Sequence, residues 1–227
     1  MNFSFGICKS IDSPYLKSVI ASIRDQNIPN YEIINIGSNH NIIGDDIKNI
    51  DFDETEKKGW ITKKKNLITK NAKYENVVYL HDYIFFTKGW YEGHLKSGND
   101  FYVRMDKIEN IDGSRYRDWC VWPHNENEID QIIKRSIMIP YDIDHLSKYM
   151  YISGAYWVAK KYLMEQYPLD EELLWGQGED VIWSKNVREK YKFNMNKNSM
   201  VKLLKPQFNH NFTEPSKETI EILKTFK

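Results

Sequence analysis

The strongest constraint on the fold is an alternation of short apolar runs with helical periods through the first half of the chain. Four runs are rich in strand-forming residues: FSFGIC (3–8), YEIINIG (31–37), IKNIDFD (47–53) and NVVYL (76–80). Between them lie SPYLKSVIASIRDQ (13–26) and GWITKKKNLITKNA (59–72), both of helical character. In the first of these, Leu16, Val19, Ile20 and Ile23 share one face, with Ser13 placed as an N-cap and Pro14 at the first helical position. Strands that read as buried runs, joined through helices, predict a parallel sheet with right-handed crossovers. Ligands of such sheets sit beyond the carboxyl ends of the strands. The run NVVYLHDYIFF (76–86) is broken once, by His81-Asp82, at such an end.

The second half is less regular. GWYEGHLKSG (89–98) reads as helix, DFYVRMDKI (100–108) as strand, and 109–150 is polar and aromatic by turns. YISGAYWVAKKYLMEQY (151–167) reads as a turn or short strand leading into a helix. In LLWGQGEDVIWSKNVREKY (173–191), glycines precede a helix carrying Val181, Ile182 and Val187. A strand SMVKLL (199–204), a loop KPQFNHNF and a helix KETIEILKTF (217–226) follow. With 227 residues and 41% apolar content, one sizeable core is expected. The expected architecture is a single α/β domain: a mixed, mainly parallel sheet flanked by helices, with halves at about 1–98 and 99–214 and a terminal helix over 215–227.

Thirty-two basic residues balance thirty-two acidic ones, so no global field favours nucleic acid or an anionic membrane. Cys8 and Cys120 lie far apart without metal-type spacing, which points to a reducing cytosol. No run approaches a membrane span, and the N-terminus lacks a signal-peptide apolar region. A cytoplasmic protein is the expectation, with peripheral membrane attachment left open.

Several clusters could carry chemistry. Asp82 offers a hard oxygen ligand for a divalent cation, although aspartate at a strand end more often caps a turn. Glu179-Asp180 open a helix whose dipole favours acids, and a carboxylate beneath Trp175 could also take a proton from a hydroxyl. Lys65 and Asn66 sit where the apolar stripe of their helix breaks, in what is otherwise a solvated lysine face. His210 is a lone loop histidine that needs partners to bind metal.

Taken in order, three segments resemble the GT-A class of nucleotide-diphospho-sugar glycosyltransferases, nearest to inverting family two. FSFGICKSIDSPYLKSVIASIRDQNIPNYEIINIGS looks like the opening strand, helix and strand. KKNLITKNAKYENVVYLHDY looks like the Ala-Arg-Asn helix running into the acidic metal motif, and GQGEDVIWS is similar to the Glu-Asp motif. The resemblance covers roughly 3–92 and 150–190. It implies that Lys9, Ser10 and Asp53 meet the nucleoside, and that Lys65 and Asn66 face the diphosphate. Asp82 would ligate Mn2+ or Mg2+, with His210 as a distal ligand. Asp180 would be the general base with Glu179 placing the acceptor, and Trp175 and Trp157 would form a sugar-facing wall. The expected partners are a UDP-hexose donor and a glycan or glycoconjugate acceptor, with no nucleic acid. Three residues depart from the family pattern. The metal motif keeps one acid (His81-Asp82-Tyr83), Asn35-Ile36 replace an aspartate pair, and Lys65 replaces an arginine and with it the bidentate phosphate fork. A non-catalytic sugar-nucleotide or glycan-binding module is the alternative, as is a nucleotidyltransferase, although CKSIDSP lacks the glycines such an enzyme needs after its first strand.

Overall fold

The computed structural model describes residues 1–38, 40, 42–123, 128–206 and 212–226. The chain opens with β1 (Phe3–Cys8), α1 (Leu16–Arg24), β2 (Tyr31–Gly37), β3 (Ile47–Asp51), α2 (Ile61–Asn71) and β4 (Asn76–His81). It continues with β5 (Ile84–Phe86), α3 (Trp90–Ser97), β6 (Val103–Glu109), β7 (Cys120–Val121), β8 (Ser136–Met138) and β9 (Met150–Tyr151). β10 (Tyr156–Lys160), α4 (Lys161–Gln166), α5 (Glu179–Arg188), β11 (Phe193–Leu203), β12 (Phe212–Thr213) and α6 (Lys217–Thr225) complete it.

Among the described residues, eight strands form one sheet in the order β3-β2-β1-β4-β10-β6-β11-β5. β1 pairs in parallel with β2 and β4, β2 with β3, and β6 with β11. β10 runs antiparallel between β4 and β6, and β5 antiparallel on β11. The sheet is therefore mixed and mainly parallel. A smaller sheet, β12-β8-β7-β9, gathers the aromatic middle segment.

Alternation along the strands divides the core into two layers. Phe3, Phe5 and Ile7 of β1, Val78 and Leu80 of β4, and Tyr156 and Val158 of β10 pack beneath α1 and α3. Val77, Tyr79, Trp157 and Ala159 face the other layer, with Ile68 of α2 and Trp183 of α5. α2 sits close because Gly6 has no side chain: a Cβ there would lie 2.1 Å from Ile68 Cγ2. α1 starts later than the sequence pattern suggests. Tyr15 occupies its cap position without a side-chain bond, and Ser13 Oγ instead donates to the Asp82 carbonyl at 3.4 Å.

Register places the site. Cys8 lies opposite both Ile36 and His81, so β1, β2 and β4 end together. β10 enters beside them from the opposite direction, its Tyr156 opposite Leu80, which brings Gly154 and Ala155 to the same edge.

Candidate active site

A cleft of ≈ 460 Å³ opens beyond those strand ends. The segment after β1 supplies Lys9 and Ser10, that after β3 Glu54, the first turn of α2 Lys64, and the end of β4 His81, Asp82 and Tyr83. These loops are cross-linked. The Ser10 backbone N–H and hydroxyl donate to Asp82 Oδ2 at 2.7 and 2.5 Å. Lys64 Nζ donates to the Lys9 carbonyl at 2.9 Å and pairs with Glu54. Lys9 Nζ donates to the carbonyls of Ile11 and Ser38. Asp82 is thus buried as the link between two loops.

A second cleft of ≈ 410 Å³ adjoins the first, and His81, Tyr83 and Trp175 line both. Its walls add Tyr116, Arg117, Trp122 and Tyr151, with Glu179 and Asp180 at the start of α5. Asp180 Oδ2 accepts from the Gly154 backbone N–H at 2.8 Å and Oδ1 from Val181 N–H at 2.9 Å. A carboxylate has lone-pair directions left over after two such bonds. Glu179 is buried, and its pKa is raised by that burial and by the neighbouring Asp180 charge, against a lowering from Lys65. Trp175 is 70% exposed, between Gly59 and a glycine pair, Gly176 and Gly178, in left-handed backbone. Its N–H donates to the Gly59 carbonyl at 2.9 Å, which ties the wall of one cleft to the rim of the other.

The sequence candidates divide accordingly. Lys9, Ser10, Asp82 and Trp175 line the first cleft, and Glu179, Asp180 and Trp175 the second. Lys64, not Lys65, reaches the first cleft; Lys65 is buried, donates to the Gly154 carbonyl at 2.9 Å and lies over Trp157. Asn66 turns the other way, to the Leu169 carbonyl and Glu171. Asp53 is exposed and binds Thr55 through its N–H and hydroxyl, and Glu54 takes the cleft position. Trp157 lines neither cleft. It stacks on Tyr79 at 4.8 Å in the core, because strand alternation points it inward. His210 lies outside the described residues. The sequence reading passed over Lys64, Glu54 and Lys205. The period of α2 holds a signal for the first, since Ile61, Lys64 and Ile68 recur on one face.

His81 is partly buried and stacks on Tyr83 at 5.3 Å. Burial, followed by the charges of Lys65, Lys64 and Lys205, lowers its pKa from 6.5 to about 3. The unfolded chain therefore binds a proton in this window that the folded chain refuses, and stability falls as pH drops from 6.5 toward 3. Urea midpoints are expected to decline through that range in wild type and to decline less steeply in His81→Asn. Identical slopes would mean that His81 does not carry the effect.

The divalent cation implied by the resemblance meets a poor donor set. Among the described residues, no three His, Cys, Asp or Glu side chains come close enough to hold an ion. Asp82 already accepts twice from Ser10, and Glu54 is paired with Lys64. Lysine charges that repel a proton from His81 repel a metal ion from the same place. These residues do not fit a carboxylate-held metal.

Protein-family models and curated proteins give no match to this chain. Solved structures do match it. S. aureus TarS 1–349 in complex with UDP superposes with a TM-score of 0.54 at 14% identity, over 98% of this chain and 63% of that one. The same protein in complex with UDP-GlcNAc gives 0.55 at 14% identity, over 96% and 59%. GalNAc-T7 with UDP, GalNAc and Mn2+ gives 0.64 at 13% identity, over 91% and 43%. This chain spans less than two-thirds of the length of each. The likeness is one of fold: the chain has a GT-A fold. Among the described residues, no helix is long and apolar enough to cross a membrane.

Proposed function

We propose that this chain is a glycosyltransferase that moves a sugar from a nucleotide-diphosphate donor to a hydroxyl of a glycan or glycoconjugate. The observation that carries the reading is the pair of adjoining clefts on a GT-A fold, sharing His81, Tyr83 and Trp175, with a fixed carboxylate in one of them. The first cleft takes the donor, with UDP as the nucleotide to try first, since UDP accompanies each of the superposed structures named above. Lys9 and Ser10 line its nucleoside end. The second cleft takes the acceptor, with Trp175 as a stacking wall and Glu179 as a positioning group. Donor contacts come chiefly from about 1–98 and acceptor contacts from about 99–214.

In the reaction, an acceptor hydroxyl attacks the anomeric carbon as the bond from that carbon to the diphosphate oxygen breaks. The hydroxyl proton passes to the Asp180 carboxylate, which makes the oxygen a competent nucleophile as the new bond forms. Attack from the face opposite the leaving diphosphate inverts the anomeric centre. The test is calorimetric titration of UDP, GDP and CMP, followed by UDP release from a panel of UDP-hexoses with candidate glycan acceptors. Binding of a nucleotide with acceptor-dependent release is expected. Binding without release in any pairing favours the sugar-nucleotide-binding module, and no nucleotide binding at all ends the reading.

A further inference from the structure

We propose that the donor cleft neutralises the diphosphate with protein cations in place of a divalent metal ion. Lys205 supplies the mobile charge, and His81 stands where a second metal-binding carboxylate would be needed. The inference rests on the glycosyltransferase reading and concerns how the same cleft holds its donor.

Most of the lysines around the cleft are already bonded within the protein. Lys9 is bonded to the carbonyls of Ile11 and Ser38, and Lys64 to Glu54 and the Lys9 carbonyl. Lys65, behind the wall, is bonded to the Gly154 carbonyl. These three ammonium groups are held in place and act as scaffold and background charge. Lys205 differs. It is exposed, has no hydrogen-bond or ion-pair partner among the described residues, and holds its Nζ 5.6 Å from the centre of the Tyr83 ring, on the same cleft as Asp82.

Lys205 also comes from a different part of the chain. It follows the end of β11, whose last residues pair with β5 just beyond Tyr83, while most of the cleft comes from loops after β1, β3 and β4. A long flexible side chain anchored there can reach a ligand lying along Asp82 and Tyr83. A free ammonium of this kind binds phosphate as a point charge.

The acidic side shows the complementary pattern. Asp82 uses Oδ2 to hold Ser10, and Glu54 holds Lys64, so the two inner acids of the cleft fix protein loops, while the third, Asp12, is exposed. One carboxylate with substrate phosphates can hold Mg2+. Here that carboxylate lies among lysines and its neighbour is an imidazole. Replacing His81 with an acid is therefore the change that would build a metal site.

The test is calorimetric titration of UDP into the full chain, in EDTA and in Mn2+. For wild type, affinities within about twofold of each other in the two buffers are expected. Lys205→Gln should weaken UDP about tenfold or more, the scale of one charge-assisted hydrogen bond. Added salt should weaken wild type more than Lys205→Gln, because the lost contact is ionic. His81→Asp, checked for folding by near-UV circular dichroism, should bind UDP more tightly with Mn2+ than without. Wild-type binding that requires Mn2+, or Lys205→Gln binding equal to wild type, overturns the inference and leaves the glycosyltransferase reading intact. No binding of UDP, GDP or CMP by wild type in either buffer removes both.

Discussion

Asp180→Asn is expected to lower transfer about a thousandfold, within the range for losing a general base, while UDP affinity stays within about twofold. The substitution keeps size and shape. Its side-chain carbonyl can still accept the Gly154 N–H that Oδ2 accepts now at 2.8 Å, so the loop before β10 stays in place. What is lost is the capacity to take a proton, together with the bond from Val181 N–H that Oδ1 receives at the start of α5. An effect confined to turnover separates chemistry from binding, because Asp180 lines the second cleft and not the first.

Gly154→Ala is a sharper geometric control. Its Cβ would lie 2.8 Å from Asp180 Oδ2 and 3.3 Å from Cγ, so the carboxylate must move while its chemistry is unchanged. A misplaced base costs rate even when its proton affinity is intact. The alanine variant should therefore fall between wild type and Asp180→Asn. The readout is UDP release with the acceptor that wild type uses. If Asp180→Asn turns over like wild type, the base lies elsewhere, and Glu179 is the next residue to change. Burial and the Asp180 charge raise the Glu179 pKa, which makes its carboxylate a stronger base than an ordinary glutamate.

How far the sequence carries an argument of this kind depends on whether a feature is local. The early strands were legible because each is a dense apolar run bounded by turn residues; β2, for example, is YEIINIG in both sequence and structure. β10 was legible only in part. The stretch 151–167 reads as a turn or short strand leading into a helix, and YWVAK does run straight into α4, but nothing local reveals that the strand inserts antiparallel between β4 and β6. β5, three residues long, hid in the same apolar run as β4.

The placement of site residues shows a related limit. Lys64 and Lys65 differ by one position on a helix of 3.6 residues per turn, which swings a side chain about 100°. That one step separates the cleft from the Gly154 carbonyl. Asp53 and Glu54 differ by one position in a turn, and one ends up capping Thr55 while the other reaches the cleft. Trp157 is one residue from the alternate face of its strand, and either face of that central strand is core. Motif order singled out segments that the fold gathers around two adjoining clefts. The phase within each segment is set by packing against other segments, and a single sequence does not print that.

Asp106→Ala is expected to cost about 3–5 kcal/mol of folding stability, the scale of removing one partner from a buried charged network. For a chain of this size that lowers the melting temperature by roughly 6–20 °C. Asp106 is fully buried on β6. Its Oδ2 accepts from Trp90 Nε1 at 2.8 Å, faces His94 Nε2 at 3.0 Å and receives the Tyr156 hydroxyl. Its Oδ1 accepts from Asn196 Nδ2 at 2.8 Å. These partners lie on α3, β10 and β11, so one carboxylate fastens a helix to three strands of the sheet. Alanine would leave several of the polar groups around it without their partner in the interior, and each such group carries its own desolvation cost.

Acid gives an independent check on the same group. Burial alone would raise the Asp106 pKa, but the His94 charge and the bonds from His94, Tyr156 and Trp90 outweigh it and hold the carboxyl below its ordinary value. A depressed carboxyl stabilises the fold above the unfolded-state pKa of about 4, and that contribution is lost as pH falls through the folded value. The His81 effect begins higher, near pH 6.5, so the two contributions separate along the pH axis. Asp106→Ala should melt early at pH 7 and lose less than wild type on further acidification below about pH 4. Because Asp106 lines neither cleft, UDP affinity measured well below the melting point should match wild type. A variant that melts within about 2 °C of wild type would place its cost under roughly 1 kcal/mol. The buried network would then be a product of the packing between α3 and the sheet rather than a cause of it.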